Sequence, residues 1–329
     1  MSARGLVRAL RDPDVVTALD AGGWNGLIAM ARAERLVGTL ALRIGDRRVP
    51  DAVRQILDDA RLDAEREARQ ALWEADRATE ALAGIDVPVL LLKGTAYAAA
   101  GLRAGQGRFI GDLDILVPRE AMEQVEHALL RAGWEWVKDD PYDDAYYRQW
   151  MHELPPMIHA GRDRMIDVHH SILPLTARQA PDMAAMIADA VPIAKGLYML
   201  SPEDRICHAA AHLLADGDLA GGLRNLWDIV CLLDGIDPSA LEARAARHGL
   251  AAHVGQARRL AAALYGEGAR LSFWDRIVAA RLLARDGWGR ERRKPLRFAF
   301  SVRSHWLRMP PGLLARHLFT KWRKGHRPV

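Results

Sequence analysis

The chain has 329 residues, half of them hydrophobic and 27% charged, with a net charge of +4, a balance that excludes wholesale disorder. The length suggests about two domains and is enough to bury a sizeable core. Only two cysteines occur, Cys207 and Cys231, which excludes a disulfide scaffold or a four-cysteine zinc site and points to a reducing cytoplasm.

No apolar run approaches the ~20 residues a membrane span needs, and no signal-peptide core follows Met1. Residues 1–84 read as a helical region. Over residues 5–50, Trp24, Leu27, Ile28, Ala31, Leu36 and Leu40 recur near helical spacing. Residues 51–83 predict one long helix without internal Gly or Pro. Its buried stripe is Leu57, Ala60, Ala64, Ala68, Ala71, Ala75, Ala78 and Leu82, and Gly84 ends it.

Residues 85–175 change texture. Val87 to Leu92 is a continuous apolar run and predicts a buried strand. Lys93-Gly94-Thr95 follows, then an Ala-rich helix to about Leu102 and a loop with glycines at 101, 105 and 107. Further strands are predicted at Ile110–Val117, Trp134–Val137, Met157–His159 and Arg164–His169, with a helix over 119–132. The acidic segment Asp139 to Asp144, flanked by Trp134, Trp136, Tyr142, Tyr146, Tyr147 and Trp150, reads as an exposed loop. From 176 to 289 the pattern returns to helices. Residues 290–329 carry twelve Lys/Arg and one acid, Glu291, whereas the other 289 residues carry 34 bases and 41 acids. This basic tail, interleaved with Phe298, Phe300, Trp306, Leu313, Leu314, Leu318, Phe319 and Trp322, reads either as helix packed on the acidic body or as a surface for a nucleic acid, an anionic membrane or an acidic partner.

The most informative stretch is Gly111-Asp112-Leu113-Asp114-Ile115-Leu116-Val117. Two acids at i and i+2 on a strand point to one face, while Leu113, Ile115 and Val117 point to the other. Paired carboxylates repel each other unless they are solvated, protonated or bridged by a divalent cation. A third acid, Asp167, lies in Met165-Ile166-Asp167-Val168-His169. If that strand adjoins the first, three carboxylates converge, and an all-oxygen donor set suits Mg²⁺ beside substrate phosphates. Lys93-Gly94-Thr95 sits where a buried strand becomes a helix. There Gly94 admits close backbone approach, the helix start offers free N–H groups, and Lys93 adds a point charge for phosphate. Neither a Walker A loop nor a GxGxxG fingerprint is present.

The order strand–Gly–helix–loop–strand–Asp-x-Asp, with a later strand Asp, resembles the DNA polymerase β-like nucleotidyltransferases, and within them the family of uncharacterised nucleotidyltransferases. The similarity rests on Leu91-Leu92-Lys93-Gly94 with Tyr97, Gly107 through Val117, Gly133-Trp134 and Ile166-Asp167-Val168-His169. It extends from Ser201-Pro202-Glu203-Asp204, through His208 and His212, to Arg224-Asn225-Leu226-Trp227-Asp228-Ile229. Many superfamily members carry Gly-Ser where this chain has Lys93-Gly94-Thr95, and here the spacing from Gly94 to Asp112 is longer.

The resemblance implies an α+β fold: a small mixed-sheet nucleotidyltransferase core flanked by N- and C-terminal helical regions. It also implies transfer of a nucleoside monophosphate from an NTP, ATP above all, to the hydroxyl of a small molecule or protein. In that reading Asp112, Asp114 and Asp167 hold two Mg²⁺ ions, and Asp167 doubles as general base. Lys93, Gly94 and Thr95 hold phosphates. Arg108 is expected to touch a phosphate, or else to pair with Asp112 or Asp114. His169 shares the face of Asp167 and is read as reaching substrate or orienting the carboxylate. His208 and His212 share a helix face but lack the Glu of an HExxH motif, and read as core or near-cleft groups rather than zinc ligands. Arg224 and Asp228, four apart, read as a helix ion pair or as cleft contacts to nucleotide or acceptor. His152 and His159 fit no pattern. A non-catalytic nucleotide-binding or interaction module keeping the fold is the alternative from another class.

Overall fold

The computed structural model describes residues 3–323 apart from 139, 195 and 267. Asp139 and the side chains of Leu313, Leu318 and Trp322 therefore lie outside the described residues. The N-terminal helices are α1 (Ala3–Arg11), α2 (Ala21–Ala33), α3 (Val37–Ile44) and α4 (Asp51–Leu82). On α4 the small residues recur on one face, and Leu57, Ala60, Ala64, Ala71, Ala75, Ala78 and Leu82 are buried. That face lets α4 pack closely on α3 and on the sheet. Ala68, expected in the same stripe, is half-buried.

The sheet and its covering helices follow: β1 (Val89–Leu91), α5 (Lys93–Ala99), β2 (Asp112–Leu116), α6 (Met122–Arg131), β3 (Trp134–Trp136), α7 (Pro141–Trp150), β4 (Met157–His159), β5 (Met165–His169), α8 (Met183–Ala188), β6 (Val191–Ala194) and β7 (Leu197–Met199). They form a seven-stranded mixed sheet in the order β3-β4-β5-β2-β1-β7-β6. Pairing is parallel for β2 with β5 and for β1 with β7, and antiparallel elsewhere. The central strands are apolar on the face opposite the acids, with Leu91, Ile115, Ile166 and Val168 almost fully buried. This is the expected α+β architecture with a mixed sheet.

Two expectations fail locally. The acidic segment is not a loop: Pro141–Trp150 is helical, and the Asp140 side chain caps it by accepting from the N–H groups of Tyr142 and Asp143. An N-cap Asp followed by Pro at the first helical position is a start signal that the aromatic clustering obscured. Nor is everything after 176 helical. The β6–β7 hairpin extends the sheet, turning at Gly196 with φ +80°, and its short strands carry too few residues to show an alternation.

The C-terminal helices are α9 (Pro202–Ala211), α10 (Gly222–Leu232), α11 (Pro238–Arg247), α12 (Ala251–Tyr265), α13 (Phe273–Leu282), α14 (Lys294–Arg308) and α15 (Pro311–Arg323), with a π-helical turn at 212–216 after α9. Asp204 on α9 is fully buried and accepts from both Nε and Nη2 of Arg244, with His248 Nε2 2.8 Å from it. The basic tail does pack on the body: Phe300 is buried and stacks on Trp274, and Arg303 donates to the Leu214 carbonyl. The same helix leaves Phe298, Val302 and Trp306 exposed, spaced four apart. No described helix is long and apolar enough to cross a membrane.

Candidate active site

β2 and β5 run parallel with Asp114 opposite Asp167, so the even-numbered acids of β2 and the central acid of β5 share one sheet face. Carboxylate oxygens of Asp112, Asp114 and Asp167 lie within 4.8 Å of one another. Asp112 is exposed, Asp167 half-buried and Asp114 buried. Around the exposed end lies a cleft of about 450 Å³, lined among others by Lys93, Gly94, Arg108, Asp112, Asp114 and His212.

Asp114 Oδ1 accepts from Lys93 Nζ at 2.7 Å and lies 3.0 Å from His169 Nε2. Burial by itself would raise the pKa of Asp114. The Lys93 ammonium and His169 override it and hold the carboxyl well below the ordinary range. Burial would lower Lys93, but the Asp114 carboxylate in turn raises it above its ordinary value. Asp167 has no such partner: burial, then the negative charges of Asp114 and Glu153, push it up to about 7. Its Oδ1 is buried without a hydrogen bond. Three carboxylates, one carrying an unsatisfied buried oxygen, fit a hard divalent cation with oxygen preference, as Mg²⁺ is.

Lys93 opens α5 in the left-handed region, φ +46°, a conformation that costs a non-glycine residue ~1–3 kcal/mol and here aims the ammonium at Asp114. Gly94 lines the cleft because Arg108 lies across it: a Cβ there would come 2.6 Å from Arg108 Nε. Thr95 departs from expectation. It is buried, is absent from the cleft lining, and its Oγ1 has no described partner. The first turn of α5 directs that side chain into the core.

Arg108 also departs from its expected pairing. Its partner is Asp228, not Asp112 or Asp114. Asp228 Oδ1 in turn accepts from Nε and Nη2 of Arg224, at 3.1 and 2.6 Å. The i, i+4 pair on α10 therefore exists, but it is buried and shared with the loop after α5. Arg224 Nη1 continues the chain to Thr39 Oγ1, which itself donates to the carbonyls of Gln106 and Gly107. This network fixes the 103–111 loop against α3 and α10, and so sets the wall of the cleft.

His208 and His212 lie behind Lys93, lining a small cavity with Tyr97, Asn225 and Asp228. Burial, reinforced by Lys93, depresses both, His212 to about 3, so they remain neutral. His212 begins the π-helical turn, an irregularity often found at functional sites. His169 touches Asp114 rather than Asp167. Several groups carried no sequence signal: Arg35 and the Glu34–Arg285 ion pair in the cleft lining, and, behind Asp114, Glu153, whose Oε2 is 3.3 Å from His169 Nδ1. They come from three distant segments, so no local spacing could connect them.

The mixed sheet thus presents three converging carboxylates that could hold a metal ion, beside a lysine at a strand-to-helix turn. The chain belongs to the family of uncharacterised nucleotidyltransferases, whose sequence profile matches residues 20–266. Among solved structures it is similar to the antibiotic-resistance factor ANT(2'')-Ia, studied in solution, at 15% identity and a TM-score of 0.38, over 58% of this chain and 98% of that one. No curated protein matches the chain.

Proposed function

We propose that the protein transfers a nucleoside monophosphate from an NTP to a hydroxyl group of a small molecule or protein. The observation that carries this reading is the convergence of Asp167 with Asp112 and Asp114, which line an open cleft together with Lys93. Asp112, Asp114 and Asp167 would hold Mg²⁺, which when bound supplies neutralisation of the triphosphate and of the charge developing on the leaving group.

The chain's own residues do the rest. Lys93 and His169 hold Asp114 ionised and fix its Oδ1, so its other oxygen is presented in a set orientation. Lys93 would meet an incoming phosphate from the cleft it lines, and Gly94 leaves room for the Arg108 side chain that forms the adjoining wall. Asp167, raised to about 7 in the absence of a cation, would be ionised beside Mg²⁺ and would accept the proton of an attacking hydroxyl. Arg108 is committed to Asp228, so its contribution is to shape the cleft wall rather than to grip phosphate. Catalysis of this kind is mostly positioning and charge stabilisation.

The test is titration calorimetry of each NTP with and without Mg²⁺ on wild type, Asp112→Asn and Asp114→Asn, followed by an acceptor screen that reads pyrophosphate release. Mg²⁺-dependent binding lost in the variants, with turnover on some acceptor, is the expected result. Binding without turnover across a broad acceptor panel would favour the non-catalytic module, and no NTP binding would remove the reading altogether.

The exposed Phe298, Val302 and Trp306 on the basic α14 favour a second, separate activity at an anionic surface. Vesicle or nucleic-acid binding that falls steeply with salt and disappears on deleting 290–329 would establish it.

A further inference from the structure

Adjoining the carboxylate triad through His169, the residues His152, Glu153 and His169 bring two imidazoles and a carboxylate together. Glu153 and His169 are partners in an isolated antiparallel bridge, and the His170 N–H donates to the His152 carbonyl at 2.8 Å, so the backbone itself holds the cluster. The His152 and His169 rings are 5.3 Å apart. Glu153 Oε2 lies 3.3 Å from His169 Nδ1 and 3.8 Å from His152 Nε2. One ligand atom from each residue lies within 4.8 Å of the others.

We propose that His152, Glu153 and His169 form a metal site for Zn²⁺ or a cation of similar preference, separate from the carboxylate triad.

The buried nitrogen of His169 carries the argument. Its Nε2 lies 3.0 Å from Asp114 Oδ1. Nδ1 of the same ring faces the Glu153 carboxylate at 3.3 Å. Yet His169 is 97% buried, and Nδ1 makes no hydrogen bond despite the short separation. A buried ring nitrogen that meets a carboxylate without a hydrogen bond is a contact that a cation bound to both would satisfy. Ligand atoms on a tetrahedral ion, at bonds of ~2.0–2.1 Å, lie ~3.3–3.4 Å apart, off the line of either lone pair. The His169–Glu153 spacing matches that edge, and His152 is slightly wider. Two histidines and a glutamate form a known zinc donor set with a fourth position left for solvent. Asp114 would then be the outer carboxylate that orients a metal-bound imidazole. The ion would brace the 152–154 segment against β5 and, through His169, fix Asp114.

The experiment uses chelator-treated full-length protein in Mg²⁺-free buffer, titrated with Co²⁺ and with Zn²⁺. Wild type, His152→Ala, Glu153→Gln and Asp112→Asn are compared by visible d–d absorption, by metal content after gel filtration, and by Tm. The expected result is about one equivalent in wild type, with tetrahedral Co²⁺ bands and a raised Tm. His152→Ala and Glu153→Gln should bind at least ~10-fold more weakly, while Asp112→Asn matches wild type. Should His152→Ala fail to fold, Glu153→Gln, nearly isosteric, decides the matter. No uptake by wild type, equal uptake by the cluster variants, or equal loss in Asp112→Asn overturns the proposal. No nucleotide is present, so this outcome is independent of the nucleotidyl-transfer reading.

Discussion

Asp114 of β2 and Asp167 of β5 are register partners in a parallel ladder, side by side on one sheet face, yet their electrostatic surroundings are opposite. Asp114 is paired with the Lys93 ammonium and lies against His169. Asp167 is surrounded by acids and has an unsatisfied oxygen. Two neighbouring carboxylates with pKa values pushed apart is a pattern found where one group must remain charged and the other must exchange a proton.

Removing the charge of Asp112 or Asp114 should therefore remove turnover while sparing the fold. Asp112→Asn and Asp114→Asn are expected to lower pyrophosphate release by about 10³-fold or more, on the scale of other groups that stabilise phosphoryl-transfer charge. Circular dichroism of Asp112→Asn should match wild type, since that side chain is exposed. Full activity in both variants would contradict the assignment.

Asp167 links stability to pH. Its folded pKa of about 7 lies above the unfolded value of 3.8, so between those limits the folded protein holds a proton that the unfolded chain has released. Stability falls as pH rises through that window, at up to ~1.4 kcal/mol per pH unit, and above pH 7 the loss is complete. A cation can replace the missing proton. Mg²⁺ is therefore expected to raise Tm more at pH 8 than at pH 5. Asp167→Asn should flatten the metal-free profile between pH 4 and 7 and shrink the Mg²⁺ effect. Parallel profiles for wild type and variant would exclude Asp167 as the source.

Asp228 is the sole described carboxylate shared by Arg108 and Arg224, and all three are buried or nearly so. Asp228→Asn would leave two guanidinium groups without their counter-charge. The expected cost is ~3–5 kcal/mol, read as a lowered denaturant midpoint at unchanged slope. Loosening of the 103–111 loop should weaken NTP binding as well. An unchanged midpoint would show that the network contributes specificity rather than stability.

Gly107 provides a backbone test of the same wall. Its φ is +64°, and a Cβ there would lie 2.5 Å from the carbonyl carbon of Gly38 on α3. Gly107→Ala is expected to destabilise by a few kcal/mol, because backbone on one side and a left-handed conformation on the other leave no means of relief. Gly111→Ala, with open space around its Cβ, should be near neutral in thermal denaturation.

Much of the core was legible locally. The α4 stripe, the β2 alternation and the pairing of a lysine–glycine turn with an Asp-x-Asp strand are short-range patterns set by helical and strand periodicity. What escaped detection had another cause. Helix α7 was hidden because its cap signal competed with a cluster of acids and aromatics, and the β6–β7 hairpin was too short to show a period. Thr95 was misplaced because adjacency to Gly94 says nothing about which way the first turn of α5 rotates each side chain. The alternative pairing of Arg108 with Asp112 or Asp114 fails because its carboxylate partner lies 120 residues away.

The sequence by itself determined the kinds of groups available, and it set Asp112 and Asp114 on a common face, because alternation along a strand is a property of the backbone. The tertiary structure decided which groups meet. It chose β5 as the neighbour of β2, bringing Asp167 and His169 to Asp114, and used Lys93 to hold one carboxylate ionised while burial and unopposed charge raised the other. It also drew Glu153 to His169 and Asp228 to Arg108. Long-range pairing, burial and the fields they create depend on how distant segments pack, and no spacing along the chain encodes them.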